Sequence, residues 1–267
     1  MNRFDRDTAV EPQGEGRFDC TISPGWVVER GPNGGYVSAL LLRAIQAAVA
    51  EPARAPRSLN VHFCAPPRPG PAQIETRIER QGRTLSSVTA RMLQGERLLA
   101  LATAALALPR PGDFSYDDTR MPRVPPPEAC PEIPARFPVH DRYESRRALG
   151  AEPFTGSHEK AAGGWIRLAE EPRAADALLL AAYADGWPPC VIARMPAGDP
   201  QPAGFPTIDL TVHFRSTPPA PGLAADAFLL TVFRSRLLTD GFFEEDGEIW
   251  SPDGQLLAHS RQLGALL

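Results

Sequence analysis

Leu59–Gly70 reads LNVHFCAPPRPG, and Leu210–Gly222 reads LTVHFRSTPPAPG. With one residue inserted in the second copy, eight of twelve positions are identical: Leu, Val, His, Phe, three prolines and the closing glycine. A second echo follows each copy, GERLLA at Gly95–Ala100 and GQLLA at Gly254–Ala258, again displaced by one residue. Self-similarity in which the order of surrounding elements also repeats is the mark of a duplicated unit.

The elements around the two copies can be read outward from them. Upstream of the first, Asn33 is a good N-cap before Gly34-Gly35, and Val37, Leu40, Leu41, Ala44, Ile45 and Ala48 follow at helical spacing. Pro52 and Pro56 stop that helix. Strand-like stretches follow at Ser58–Cys64, Gln73–Arg80, Leu85–Met92 and Leu98–Leu108, with others expected earlier at Arg17–Ile22 and Trp26–Glu29. Around the second copy the order returns: strands at His140–Arg147 and Trp165–Leu168, a helix at Ala174–Asp185 ended by Pro188-Pro189, then strands at Thr207–Arg215, Ala227–Arg234, Phe242–Trp250 and Leu256–Leu263. Pro252-Asp253-Gly254 is a hairpin turn between the last two. Between the halves, residues 109–138 hold nine prolines in thirty positions, which predicts an extended linker. The expected division is therefore 1–108, linker 109–138, and 139–267. Strands, one helix and four antiparallel strands, twice, is an α+β pattern. A curved antiparallel sheet wrapped around a central helix is a hotdog, and two in one chain can pair into one continuous sheet.

Composition narrows the function. Of the 267 residues 43% are hydrophobic and 22% charged, ordinary for a globular chain with a real core. The net charge of −4 and the lack of a basic tract argue against nucleic-acid binding. The cations are arginines apart from Lys160, and arginine's planar fork suits phosphorylated ligands. Cys20, Cys64, Cys130 and Cys190 form no C-x-x-C pair, so neither zinc nor a redox dithiol is suggested, and free thiols fit a reducing cytoplasm. The N-terminus MNRFDRDTAVEPQGEG lacks an apolar signal core, and the apolar run Leu98–Leu108 is too short to insert in a membrane.

Three segments carry a family resemblance. Gly25–Gln46, GWVVERGPNGGYVSALLLRAIQ, resembles the N-terminal half of double-hotdog acyl-CoA thioesterases of the thioesterase II type. Thr207–Arg215, TIDLTVHFR, and Asp253–Gly264, DGQLLAHSRQLG, resemble the second half. The likeness spans nearly the whole chain outside the proline-rich segment. It implies hydrolysis of an acyl-CoA thioester by water that an Asp, a Gln and a Ser or Thr of the second hotdog hold and activate. The Asp carries over onto Asp209 and the Gln onto Gln262. The hydroxyl carries over onto Ser235, with Thr239 a further candidate; the loop there differs in length, and a shift by one lands on Arg236. No metal or cofactor is implied.

Ile208, Leu210, Val212 and Phe214 share one face of their strand, and Asp209, Thr211, His213 and Arg215 the other. A carboxylate on a strand is disfavoured, so Asp209 is either a general base or a solvated surface acid. Across the repeat Ser58 stands in place of Asp209 and Ala104 in place of Gln262, so one acid-bearing site per chain is expected, in the second copy. Gln262 could orient water without adding charge. The amides of Gly34 and Gly35, after the cap Asn33, could bind a developing oxyanion, or form a plain helix start. His62 and His213 are equivalent and read as structural, and His259 as a neighbour of the site at most. Phe242–Glu248, FFEEDGE, reads as a strand entry followed by a solvated acidic stretch. No G-x-S-x-G elbow or phosphate-binding glycine loop is present. The expected protein is thus a cytoplasmic acyl-CoA thioesterase, its acyl chain beside a central helix, in a homodimer or higher homo-oligomer. A non-hydrolytic acyl-CoA or lipid-binding hotdog and an enoyl-CoA hydratase or dehydratase are the alternatives.

Overall fold

The computed structural model describes all residues except 30, 111, 113, 199–201 and 217–221, so part of the second repeat copy lies outside the described residues. In chain order its elements are α1 (Arg3–Asp7), β1 (Val10–Gly14), β2 (Arg17–Ile22), α2 (Gly34–Val49), β3 (Ala55–Phe63), β4 (Gly70–Gln81), β5 (Leu85–Gln94), β6 (Arg97–Ala107), β7 (Tyr143–Leu149), β8 (Ala161–Leu168), α3 (Ala177–Tyr183), α4 (Val191–Arg194), β9 (Thr207–Phe214), β10 (Leu229–Arg234), β11 (Leu238–Thr239), β12 (Phe242–Trp250) and β13 (Leu256–Ala265). Apart from β11, which pairs with β12, the strands form one sheet in the order β1-β2-β4-β5-β6-β3-β9-β13-β12-β10-β8-β7. It is the expected α+β double hotdog.

The repeat builds the seam between the halves. β3 and β9 pair antiparallel, with Ser58 opposite His213, Asn60 opposite Thr211 and His62 opposite Asp209. Asn60 and Thr211 are equivalent positions of the two copies, so a local dyad runs between them, and Asn60 Nδ2 donates to Thr211 Oγ1 at 2.7 Å across it. Leu59, Val61, Leu210, Val212 and Phe214 point inward and are buried. Both strands carry an irregularity at corresponding places, between Pro56 and Ser58 in β3 and at the Thr207 end of β9.

α2 is hydrophobic almost all round and buried, because the sheet wraps it and α3 packs on it. Asn33 Oδ1 accepts from Tyr36 N at 3.1 Å, as expected of the cap. Gly35 is required by packing: a Cβ there would lie 2.3 Å from the carbonyl oxygen of Ala182 in α3. Several expected bounds change: the strand expected at His140–Arg147 begins at Tyr143, after a 3-10 turn over Pro138–Arg142, and the one expected at Trp165–Leu168 begins at Ala161. Trp26 closes a 3-10 turn, Pro24–Trp26, and its ring stacks on Tyr36 with centroids 4.9 Å apart; the residues after it make no strand beyond a single bridge. The second helix is shorter than expected because Asp176 caps it, accepting from Leu179 N at 3.0 Å, and it ends at Tyr183. The proline-rich segment is extended but not free. Trp165 Nε1 donates to Pro125 O at 2.8 Å, and Met121, Val124 and Cys130 pack with Trp165, Leu230, Val232 and Trp250.

Candidate active site

The chain leaving α3 delivers Asp185 to the N-terminus of α2. Asp185 Oδ2 accepts from Asn33 Nδ2 at 2.9 Å and from Gly35 N at 3.2 Å, and Asn33 Nδ2 also reaches the Asp185 carbonyl at 2.7 Å. A Cβ on Gly34 would sit 3.0 Å from that same Oδ2 and from the Phe63 ring, so glycine leaves the carboxylate its place. The helix start and its partial positive charge thus hold an anion from the other half of the chain. Enclosure by protein pushes the Asp185 carboxyl up to about 6, against the opposing pull of the Gly35 and Gly34 amides and Asn33. At the amides read as a helix start or an oxyanion site, the structure places the Asp185 carboxylate.

A second polar chain is buried beside it. Thr207 Oγ1 donates to Gln262 Oε1 at 2.9 Å, Gln262 Nε2 donates to Glu245 Oε1 at 2.8 Å, and Cys190 N donates to Glu245 Oε2 at 2.6 Å. Gln262 is 4% exposed and Glu245 1%. Burial raises the Glu245 carboxyl to about 7, and the nearby charge of Asp185 adds to the rise, which ties the two clusters together.

The structure does not bring Asp209 and Gln262 together. Gln262 is the cross-strand partner of Leu210, whose side chain is buried, whereas Asp209 pairs with exposed Leu263 on one side and exposed His62 on the other. Neighbours along a strand point to opposite faces, so Asp209 stands on the outer face. Ser235 is buried at the end of β10, but among the described residues no hydrogen bond joins it to Gln262 or Glu245. Thr239 is exposed on β11. The hydroxyl that meets Gln262 belongs to Thr207, which simple alternation places on the outer face. The register shift in β9 reverses this: Asp209 pairs with Leu263 and Thr207 with Gly264, so one extra residue, Ile208, turns Thr207 inward.

Sequence reasoning missed Asp185, Thr207 and Glu245, although two of them left signals. Asp185 follows a run of leucines and alanines at a helix C-terminus, where the macrodipole disfavours an anion. Glu245 alternates with Phe243 and Ile249, which places it on the core face; the acidic stretch is therefore not wholly solvated as expected. The pairing also extends the asymmetry of the repeat. Ala104 faces Leu59 as Gln262 faces Leu210, and Val88 faces Ala104 as Glu245 faces Gln262. The first copy is apolar where the second is polar.

Residues 119–266 match the acyl-CoA thioesterase C-terminal domain, and residues 22–108 match the acyl-CoA thioesterase N-terminal domain. The chain belongs to the acyl-CoA thioesterase family. Its activity is accordingly the hydrolysis of acyl-CoA thioesters. A protein with a hot dog fold and unknown function from Alicyclobacillus acidocaldarius is 30% identical with a TM-score of 0.88, over 100% of this chain and 98% of that one. A putative thioesterase II from Thermobifida fusca is 28% identical with a TM-score of 0.83, over 100% and 98%. An acyl-CoA thioesterase II from Mycobacterium marinum shares the fold at 19% identity and a TM-score of 0.78, over 99% and 98%. Among curated proteins none matches the sequence. No helix among the described residues is long and apolar enough to cross a membrane.

Proposed function

We propose that this thioesterase works by direct water attack, with Asp185 as the general base and Thr207 and Gln262 holding the water. The observation that carries the reading is the placement of Asp185: a carboxylate raised to about 6, anchored by Asn33 and Gly35 from the first half, close enough to Glu245 for its charge to be felt there. A base tuned near the working pH transfers protons efficiently. In the forward step the water oxygen bonds to the thioester carbonyl carbon and gives one proton to Asp185. The tetrahedral intermediate then collapses, the C–S bond breaks, and the proton returns from Asp185 to the departing coenzyme A thiolate. The carboxylic acid and free coenzyme A leave with atoms and charge balanced.

The site so read lies between the halves, which supports the division of the chain into 1–108 and 139–267 joined by 109–138. Four free cysteines, three of them buried, support a reducing, cytoplasmic setting, and a homo-oligomer acting in lipid metabolism completes the reading. Thiol release from acyl-CoA esters of graded chain length tests the activity. Asp185→Asn is expected to lower kcat roughly 10²–10⁴-fold, the usual contribution of a general base; full activity in that variant would remove Asp185 from the role.

A further inference from the structure

The reaction just described leaves Glu245 unused, although it is a carboxylate buried to 1% exposure and bonded to Gln262. Its Oε2 is held by the Cys190 amide at 2.6 Å, so Oε1 faces Gln262. An ionised carboxylate only accepts hydrogen bonds. The amide nitrogen of Gln262 must therefore face Glu245, and its oxygen must face Thr207. The hydroxyl proton of Thr207 is then committed to Gln262 Oε1, at 2.9 Å, and the Thr207 oxygen keeps its lone pairs.

We propose that Glu245 is a positioning residue that fixes the polarity of the Thr207–Gln262–Glu245 chain, so that Thr207 meets the attacking water as an acceptor. This rests on the water-attack reading above. A water that donates one proton to Asp185 and the other to Thr207 keeps both lone pairs free, and donating both protons raises its nucleophilicity toward the carbonyl carbon. Protonated Glu245 carries its proton on the oxygen that faces Gln262. The amide then turns over, Gln262 donates to Thr207, and Thr207 donates to the water, which ties up one of the water's two lone pairs and makes it a weaker nucleophile. Among the described residues the titratable groups facing Glu245 are Asp185, whose charge raises it, and Cys190, whose thiol burial and Glu245 push up and which donates to Phe233 O at 3.1 Å. The first repeat copy agrees: where Gln262 is replaced by Ala104, Glu245 is replaced by Val88.

Glu245→Gln tests the idea. The introduced amide accepts from Cys190 N with its oxygen and turns its nitrogen toward Gln262, which locks the chain in the reversed polarity. The expected result is a kcat lower by roughly 10–100-fold, by analogy with the loss of partners that orient metal ligands, with KM for acyl-CoA little changed. The side-chain amide resonance of Gln262 should move with pH around 7 in the wild type and stay still in the variant. A folded variant with wild-type kcat and pH profile overturns the proposal, as does a Gln262 resonance that titrates alike in both proteins. Should the variant not fold, a wild-type Gln262 resonance that stays still across the whole pH range in which the protein remains folded overturns it too. If the wild type released no thiol from acyl-CoA, the water-attack reading would fail, and the resonance comparison would still decide the polarity.

Discussion

Asp185 and Asp209 are both carboxylates of the second half, and what separates them is surroundings. Asp209 lies on the outer face of the seam, opposite His62. Asp185 is enclosed, and among the described residues its charge-stabilising partners are neutral donors, the Gly34 and Gly35 amides and Asn33. Desolvation wins over those donors, so the group protonates about two pH units above its ordinary range. The base works ionised, and the Thr207–Gln262–Glu245 chain has its working polarity with Glu245 ionised, so kcat/KM for acyl-CoA should fall as pH drops through about 7 and again through about 6, and a pH–rate series measures this. In the same assay Asp209→Asn should turn over like the wild type, because its side chain faces away from Gln262. An acid limb unmoved from the ordinary carboxylate range, or a large loss in Asp209→Asn, would contradict the assignment of roles.

At the scale of elements, the site depends on two departures from regular structure. One is the extra residue in β9, which turns Thr207 toward Gln262. Strict alternation is legible in TIDLTVHF, but an inserted residue is not, because it is defined by the register of the neighbouring strand. The other is the close crossing of α2 and α3 at Gly35. A methyl group there meets the Ala182 carbonyl at 2.3 Å, a backbone contact with no rotamer to relieve it. Gly35→Ala should therefore force the helices apart at a cost of about 1–3 kcal/mol, as overpacking does, and should move the Gly35 amide off Asp185. Urea unfolding reads the first effect and thiol release the second. A stable variant with full activity would show that the crossing can loosen without disturbing the site.

At the scale of the whole molecule, function is held at some expense of stability. Asp185 and Glu245 bind protons more tightly folded than unfolded, since their carboxyls rise to about 6 and about 7 from 3.8 and 4.5. Their stabilising contribution is complete below the unfolded values and is lost as pH rises through the folded ones. Other carboxylates, Asp5 and Glu144 among them, are shifted down by arginines and act in the opposite sense at lower pH. The clean measurement is therefore a difference: the melting temperature of Asp185→Asn minus that of the wild type should grow as pH rises from about 4 to above 6. A difference that is flat with pH would mean Asp185 is not held in the environment described. The duplicated LxVHF segment, the capped apolar helix behind Asn33 and the strand alternation were enough to establish two hotdogs and one polar copy. These are local signals, since burial on one face imposes a period and a duplication preserves it. Gln262 was legible through resemblance and by contrast with Ala104. Which carboxylate faces it was not, because that depends on where a chain goes after its helix ends and on how one strand slips against the next. Only the tertiary structure brings Asp185 from the second half onto the amides of the first, and folds Glu245 in behind Gln262.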